Sequence, residues 1–370
     1  MGSDLTQTTV DTEAMRSADR SRRADGAVMP LSFAIDACGW TRMSGGIDDL
    51  IRVAAAAEAS RAVRIRQLHS GRLRFSTHTL GEGDNFVGFA HTSVAIATSE
   101  HWSGSTIGIT AAMNGVGRVH ALGHALGDAT IAVGSGRSDM SIFIPSDQTC
   151  LGVQVSLAEF QAACALMQLP IPDLDRHASC IQQVPEERLA DFRAYFLRLK
   201  NTPYDIAFES PAARCQSAAR QLACLLLGEP KQAKSLPIPA ARLRAVRRVN
   251  DIVTADPQRA YSLADLCEIA CVSPRTLEYA FYEHYGVSPL AFVRALRLHE
   301  VWRLLRRDEA RVTDAALICG FTHLGKFSAD FRRQFGLLPS ELSRPLRAPR
   351  PKPPSRNRFR QRLATIAELG

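Results

Sequence analysis

The sequence contains no apolar run near the ~18 residues that a membrane-spanning helix needs. Its first ten residues are polar, with no apolar stretch behind a basic start, so they do not resemble a signal peptide. Its nine cysteines are an odd number, and no two have the C-x-x-C spacing of a zinc or redox motif. We therefore expect a cytoplasmic protein with reduced thiols, no membrane contact and no metal site.

Positive charge is concentrated in the last third of the chain. The 370 residues carry a formal net charge of +8. Residues 241–370 contain 23 Lys and Arg against 13 Asp and Glu, whereas the remainder contains 22 against 24. This segregation favours a polyanion-binding module attached to a near-neutral domain. An arginine-rich composition is the alternative explanation that charge alone leaves open.

A short sequence unit occurs twice in the basic third, at an offset of 50 residues. The matching positions are Leu277 and Phe327, Phe281 and Phe331, Tyr285 and Phe335, Gly286 and Gly336, and Pro289 and Pro339. In each copy the pattern predicts two short helices joined by a turn, and large apolar residues at a spacing of four give the second helix its buried face. Two such helices form a helix-turn-helix, whose second helix enters the major groove of DNA.

Capping residues predict the helix ends. In the first copy Ser262 with Asp265 has the capping-box pattern, and Ser273 caps a second helix that Gly286 ends. In the second copy we expect Thr313 and Thr322 to be the caps.

A longer helix is predicted between the two copies. It opens at Ser288 and Pro289 and continues to Arg306 without a helix breaker, with apolar residues spread wider than one stripe. Eighteen residues give a length of about 27 Å. This strut would hold two reading helices near the ~34 Å repeat of B-DNA, facing one side of the duplex. One more amphipathic helix, from Leu243 to Val253, precedes the first copy.

These residues carry a family resemblance. Residues 241–345 resemble the DNA-binding domain of AraC/XylS-type transcription regulators, through the run S-P-x-x-F-V-R-x-L-R-L at 288–298 and the spacing of Gly, Phe and Pro at 320–339. The resemblance implies a sequence-specific regulator, usually an activator, whose partners are double-stranded promoter DNA, RNA polymerase and a small-molecule effector. It also allows a homodimer, and it implies no cofactor and no enzymatic activity.

The resemblance also implies which residues contact DNA. The base-reading positions fall on Arg275, Glu278 and Tyr279 in the first copy and near Gly325, Lys326, Ser328 and Ala329 in the second. Arg275 suits a bidentate contact with guanine, worth ~1–3 kcal/mol of discrimination, and Glu278 can accept from cytosine. The expected phosphate contacts are Arg294, Arg297, Arg332 and Arg333.

The second copy departs from the family pattern. Ala329 stands where many members have an arginine, and Gly325 lowers helix propensity in the first turn. We therefore expect this copy to depend on phosphate contacts from Lys326, Arg332 and Arg333.

The sequence of the first two thirds of the chain predicts a β domain. From Ala62 onward short alternating runs, the first two joined by a hairpin turn at Ser70-Gly71, are separated by Gly, Ser and Asp clusters, as in an antiparallel barrel or jelly roll. This resembles the cupin-like effector domain of the same family. Aromatic residues often line ligand pockets, which makes Phe86, Phe89 and Trp102 candidates, with core packing as the alternative role.

The predicted fold class is therefore α+β, with a cupin-like antiparallel β domain and helices before an all-α tandem helix-turn-helix domain. We divide the chain as follows: a mostly disordered segment at 1–45, the effector-sensing domain at 46–168, a helical dimerisation or packing segment at 169–228, a linker at 229–240, the DNA-binding domain at 241–345 and a disordered basic tail at 346–370.

A metal-dependent cupin-type enzyme tethered to DNA is the alternative function. His78, His91 and His101 could converge inside a barrel, although they lack the short H-x-H spacing of cupin metal sites. His120 and His124 have the spacing of a zinc-protease pair, but Ala121 stands where the catalytic glutamate is required. We therefore predict no metal ligands and no catalytic residues.

Overall fold

The computed structural model describes residues 32–35, 40–56, 61–82, 84–102, 104–113, 119–171, 179–202, 211–227, 234–236, 240–307 and 309–342. The basic tail expected at 346–370 lies outside the described residues. We call residues 32–236 the β half and residues 240–342 the helical half.

The β half is built from antiparallel strands. They are β1 Ser32–Ile35, β2 Thr41–Gly45, β3 Arg61–Gln67, β4 Phe75–Glu82, β5 Asn85–Thr92, β6 Ile96–Trp102, β7 Thr106–Ala112, β8 His120–Ala121, β9 His124–Ala125, β10 Thr130–Gly134, β11 Asp139–Ile144, β12 Gln148–Ser156, β13 Cys180–Gln183 and β14 Lys234–Leu236. One sheet has the order β1-β2-β4-β5-β12-β7-β10-β13-β14, and the other has the order β3-β6-β11-β8-β9. The predicted antiparallel β domain is confirmed.

Four described helices belong to the β half. They are α1 Ile47–Ala56, α2 Leu157–Leu166, α3 Glu186–Asn201 and α4 Pro211–Leu227. Side chains of α2, α3 and α4 share a buried apolar cluster with one face of the larger sheet, as Phe160, Phe196 and Leu222 do with Phe89 and Leu151. The opposite face of that sheet therefore turns toward the smaller sheet and encloses the interior of the barrel.

Three parts of the β half differ from the sequence expectation. Strands β1 and β2 lie in the segment expected to be mostly disordered, because β2 finds a partner in β4, from Thr41 opposite Thr79 to Gly45 opposite Phe75. Strand β14 lies in the expected linker and pairs with β13. The hairpin expected at Ser70-Gly71 is absent, since β3 and β4 belong to different sheets.

The helical half follows the predicted order. Its helices are α5 Ala240–Ala255, α6 Leu263–Ala270, α7 Pro274–Tyr285, α8 Pro289–Arg306, α9 Val312–Ile318, α10 Leu324–Phe335 and α11 Pro339–Leu342. Helices α6 and α7 form the first helix-turn-helix, α9 and α10 form the second, and α8 is the strut between them. The predicted C-terminal helical domain with helix-turn-helix units is confirmed.

The two helix-turn-helix units belong to different apolar clusters. Phe281 and Phe292, from α7 and the strut, share a cluster with Ala97 and Phe143 on the outer face of the smaller sheet. In contrast, the second unit joins the cluster that fills the barrel. That larger cluster contains Phe327, Phe331, Phe335 and Trp302 together with Ile47, Leu73, Phe75, Trp102 and Ile142.

Candidate nucleic-acid interface

Local capping positions the first recognition helix, α7. Ser262 and Asp265 form the predicted reciprocal capping box at the start of α6. Ser273 accepts a hydrogen bond from the Thr276 backbone N–H at 3.3 Å at the start of α7. Gly286 ends α7 in the left-handed conformation, with φ of 65°, which a residue with a Cβ adopts only at a cost. These predictions are confirmed.

The outer face of α7 presents the three predicted base-reading residues of the first copy. Leu277 and Phe281 are fully buried on its inner face, whereas Arg275 and Glu278 are exposed and Tyr279 is 60% exposed. Within the described part of the chain, the side chains of Arg275 and Tyr279 have no hydrogen bond or ion pair. These groups are therefore free to contact another molecule.

The second recognition helix, α10, lacks the predicted caps. Helix α9 has Arg311 and α10 has His323 at the capping position, and neither makes a side-chain capping bond. The predicted caps Thr313 and Thr322 are therefore wrong: α9 already begins at Val312, and α10 begins two residues after Thr322. A threonine can cap a helix only if it directly precedes the first helical residue, and neither Thr313 nor Thr322 has that position.

The faces of α10 are divided as the sequence predicted. Phe327, Phe331 and Phe335 are buried. The exposed residues are Leu324, Gly325, Lys326, Ala329, Arg332 and Arg333, and Ser328 is half-buried. Whether Lys326 and Ser328 contact bases stays a prediction.

A buried aspartate connects α10 to the strut. Asp330 is 7% exposed and forms an ion pair with Arg294 of α8, while Arg333 lies 3.4 Å away on its other side. Sequence reasoning missed this residue, although an acidic side chain one position before the buried Phe331 was a signal. A charge with so little access to water needs such partners, so Arg294 already has an intramolecular role.

Arg297 also has an intramolecular role. Its guanidinium group donates to the backbone carbonyl of Arg259, which precedes the first helix-turn-helix. Burial lowers the pKa of both Arg294 and Arg297. As phosphate ligands these two residues stay predictions, while Arg332 and Arg333 are the more exposed members of the predicted set.

A groove of about 250 Å³ lies between the strut and α10. Its lining is mixed: Leu290, Val293 and Phe321 are apolar, while Arg297, Lys326 and Asp330 are charged. The groove therefore does not by itself indicate the chemistry of a ligand.

The β half contacts the C-terminal end of each recognition helix. The His120 Nδ1 donates to the Glu283 carbonyl of α7 at 2.5 Å. The Gly71 backbone N–H donates to the Arg333 carbonyl of α10 at 2.9 Å. Glu283 and Arg333 are 50 residues apart in sequence and occupy equivalent positions in the two copies. Both carbonyls belong to the last turn, where an α-helix leaves its carbonyls without an internal partner.

A buried polar cluster adds to the second of these contacts. Gln67, at the end of β3, is fully buried. Its side-chain Nε2 donates to the Gln334 carbonyl, and the Gln334 Nε2 donates back to the Gln67 carbonyl at 2.8 Å. The Gln67 backbone N–H donates to His299 Nε2 of the strut at 2.7 Å. Burial lowers the pKa of His299 to about 4, so the ring is neutral near pH 7 and can accept this bond.

The strut has a second contact with the β half. Asp48 of α1 accepts a hydrogen bond from the Trp302 indole at 2.7 Å and an ion pair from Arg306 at 3.0 Å. The strut therefore meets the β half at two separate points along its length.

The three aromatic residues that were predicted to line an effector pocket lie in two different places. The register of β5 and β12 puts Phe86 with Gly88 and Gly152 on the inner face of the larger sheet. A Cβ at Gly88 would meet the Phe86 ring, and one at Gly134 would collide with Trp102. Phe86 and Trp102 thus lie in the barrel over glycines. Phe89 faces the opposite way, 5.7 Å from the ring of Trp40.

The histidines weighed for a metal site do not converge. His78 and His91 lie on β4 and β5 of the larger sheet, while His101 lies on β6 of the smaller sheet and pairs with Asp139 at 2.8 Å. Among the residues that the structure describes, no group of three or more His, Cys, Asp or Glu could hold a metal ion. Within the same residues, every helix is too short or too polar to cross a bilayer.

Comparison with known proteins gives matches that centre on the helical half. Residues 266–345 match the family model described as a helix-turn-helix domain. The chain is 37% identical over 100 residues to the XylDLEGF operon transcriptional activator of Pseudomonas putida, covering 26% of this chain and 31% of that protein. The chain therefore spans about a third of the length of that curated relative.

Two further proteins are similar to this chain. The HTH-type transcriptional activator RhaS of Escherichia coli is 29% identical over 206 residues, which are 55% of this chain and 72% of RhaS. A solved structure of a probable AraC family transcriptional regulator from Rhodopseudomonas palustris is 38% identical, covers 27% of this chain and 98% of that chain, and has a TM-score of 0.26.

Proposed function

Because the chain belongs to the AraC/XylS family of transcription regulators, we propose that it binds promoter DNA sequence-specifically and activates transcription. The observation that carries this proposal is the outer face of α7, where Arg275, Glu278 and Tyr279 are exposed while Leu277 and Phe281 are buried. A helix anchored on one side, with arginine, carboxylate and phenol groups on the other, has the chemistry of major-groove recognition.

The two copies have different roles in this proposal. Arg275 and Glu278 of α7 read guanine and cytosine edges, and Tyr279 contacts a neighbouring base. In α10, Lys326 and Ser328 contact base edges in the next major groove of the DNA, so that the second half of the site also carries sequence information, while Arg332 and Arg333 neutralise phosphates. Phosphate contacts add affinity that falls with salt but add no sequence choice.

The β half is proposed as the regulatory part. A small-molecule effector would bind in the barrel near Phe86 and Trp102, whose rings lie against glycines of the larger sheet, and it would have to displace these rings from the space that they fill. Effector binding would shift the population of chains that are competent to bind DNA or to contact RNA polymerase. We further propose residues 46–168 for effector sensing, 169–228 for packing or homodimerisation and 241–345 for DNA binding, with the cytoplasm as the site of action.

No specific observation favours the alternative of a DNA-tethered metal enzyme. A transition metal bound stoichiometrically to the purified full chain would support that alternative and count against a purely regulatory β half.

Sequence selection on DNA tests the proposal. The full chain is used to enrich sites from a random double-stranded DNA library, and the best site is then measured in gel-shift titrations at several salt concentrations. Arg275→Ala should reduce discrimination at one base pair by about 5- to 150-fold, with nearly the same salt dependence. Arg198→Ala is the matched control, because Arg198 is exposed on α3, a helix that covers the outer face of the larger sheet. Enrichment of no sequence, or an unchanged preference in Arg275→Ala, would contradict the proposal.

A further inference from the structure

The two recognition helices are attached to the β half at equivalent positions. Their last-turn carbonyls, Glu283 and Arg333, both accept hydrogen bonds from β-half donors. Their terminal glycines also press on the β half: a Cβ at Gly286 would meet the Phe143 ring at 2.8 Å, and one at Gly336 would meet the Arg72 Cβ at 2.7 Å. The β half therefore contacts both units of the repeat and could fix the distance between them.

The attachment of the second recognition helix is the stronger one, and Gln67 is at its centre. Its Nε2 lies within hydrogen-bond distance of the carbonyls of His69, Gly71 and Gln334. Its backbone N–H and carbonyl contact His299 and Gln334. One side chain thus joins the end of β3, the loop after it and the last turn of α10, while its backbone reaches the strut.

The attachment leaves the reading surface open. The β-half contacts fall on the C-terminal ends of α7 and α10, whereas Arg275, Glu278, Lys326 and Ser328 lie in their N-terminal halves. A contact at one end of a rigid helix sets the direction of the other end. It therefore affects where the reading residues meet DNA without itself covering them.

We propose that Gln67 is a positioning residue for the second recognition helix, so that the β half, together with the strut, sets the spacing between the two DNA half-sites that this protein accepts. This inference rests on the proposed function and adds to it a source of spacing specificity outside the DNA-binding domain. Gln67 does not touch DNA; it acts through Gln334 and the end of α10.

The test uses Gln67→Met in the full chain. Methionine has nearly the length and volume of glutamine but makes none of its hydrogen bonds. Gln154→Met is the matched control: Gln154 is also buried in the β half, at 5% exposure, and its Nε2 donates to the Asp84 carbonyl at 3.1 Å, away from the helical half. Far-UV circular dichroism and thermal melting confirm that each variant folds. If Gln67→Met does not fold, Gln334→Met removes the reciprocal bonds from the other side.

The probes are three duplexes built on the sequence that the wild-type full chain selects: the intact site, the site with its second half scrambled, and the site with the second half moved by one base pair. We expect the wild-type chain and Gln154→Met to bind the intact duplex about tenfold or more better than the other two. Gln67→Met should bind all three duplexes almost equally, with the affinity that the wild-type chain has for the scrambled duplex. It should still discriminate against base changes in the first half of the site.

The outcomes separate this inference from the proposed function. Selection of no DNA by the wild-type chain contradicts the proposed function itself. Selection of a site with information in one half only, or a Gln67→Met variant with unchanged discrimination of the second half and its spacing, overturns the positioning role while leaving DNA binding intact. Loss of preference in the first half as well would also overturn it, because a general structural defect would then explain the change.

Discussion

The first and second helix-turn-helix units are copies of one sequence pattern, but they are stabilised in different ways. The first has its helix starts satisfied by its own side chains, from Ser262 and Ser273. In the second, the helix starts at Arg311 and His323 have no side-chain cap, and Phe331 belongs to the cluster that continues into the barrel. A repeated unit can therefore keep its shape when its helix starts have no side-chain caps and its core packs into the barrel interior instead of against the outer face of the smaller sheet.

Core truncations in the two units should have the largest effects. Phe281 and Phe331 are both fully buried, so changing either to alanine should lower the free energy of unfolding by about 3–5 kcal/mol. Phe331→Ala should in addition raise amide hydrogen exchange inside the barrel, because its cluster reaches Trp102 and Ile142. Denaturant unfolding and exchange mass spectrometry measure both effects. Equal exchange in the barrel strands of the two variants would contradict the shared core.

Acid should weaken the helical half through two buried histidines, one in the first unit and one in the strut. Burial lowers the pKa of His284, in the first unit, and of His299, in the strut, from 6.5 to about 4. The unfolded chain therefore binds protons more readily than the folded chain, and stability is lost as pH falls from about 6.5 to 4, by up to ~1.4 kcal/mol per pKa unit for each group.

Urea titrations at several pH values measure this loss. His299→Asn should reduce the slope of stability against pH between about 6.5 and 4, since one of the two titrating groups is gone. A His299→Asn chain with the wild-type slope would show that this ring does not titrate in the expected range.

The ion pair of Asp330 should matter more than an exposed pair of the helical half. Asp330→Asn leaves Arg294 with a neutral partner, but Arg294 is 41% exposed and can recover hydration, so we expect a loss of about 1–3 kcal/mol. Glu309→Gln, which weakens the exposed pairs with Arg303 and Arg307, should cost under about 1 kcal/mol. Chemical denaturation of the full chain compares the two. A smaller loss for Asp330→Asn would mean that the buried pair does not hold α10 on the strut.

Capping substitutions should have the smallest effects and test the comparison most directly. Ser273→Ala removes the hydrogen bond to Thr276 and should lower stability by about 1 kcal/mol. Thr322→Ala removes no capping bond, because His323 occupies the capping position of α10, and should stay within about 0.5 kcal/mol. Thermal melting of the two variants measures the difference. Equal losses would show that the second unit depends on local caps after all.

The sequence predicted what depends on neighbours along the chain. The caps at Ser262 and Ser273, the strut from Pro289 to Arg306 and the inner face of α10 are all set by spacings within one element. For the same reason the candidate residues Arg275 and Tyr279 could be placed on an exposed face.

Features that depend on distant residues could not be predicted from one sequence. Gln67 and Gln334 are 267 positions apart, and neither has a local pattern that marks it as a partner. Strand β14 has three residues, too few for a period to be visible, and forms because β13 offers an edge. The missing hairpin at Ser70-Gly71 has the same origin, since Gly71 bonds to Arg333 instead.

The continuous cluster that joins the barrel to the second helix-turn-helix restricts how this chain can be recombined. A hybrid that grafts the helical half onto a different β domain would separate Phe335 and Trp302 from Ile47 and Leu73, all of which lie in that cluster. The cut would expose apolar surface on both fragments, at a cost of roughly 25 cal/mol for each Å². The β half and the helical half must therefore evolve together, with compensating substitutions on both sides of the shared cluster.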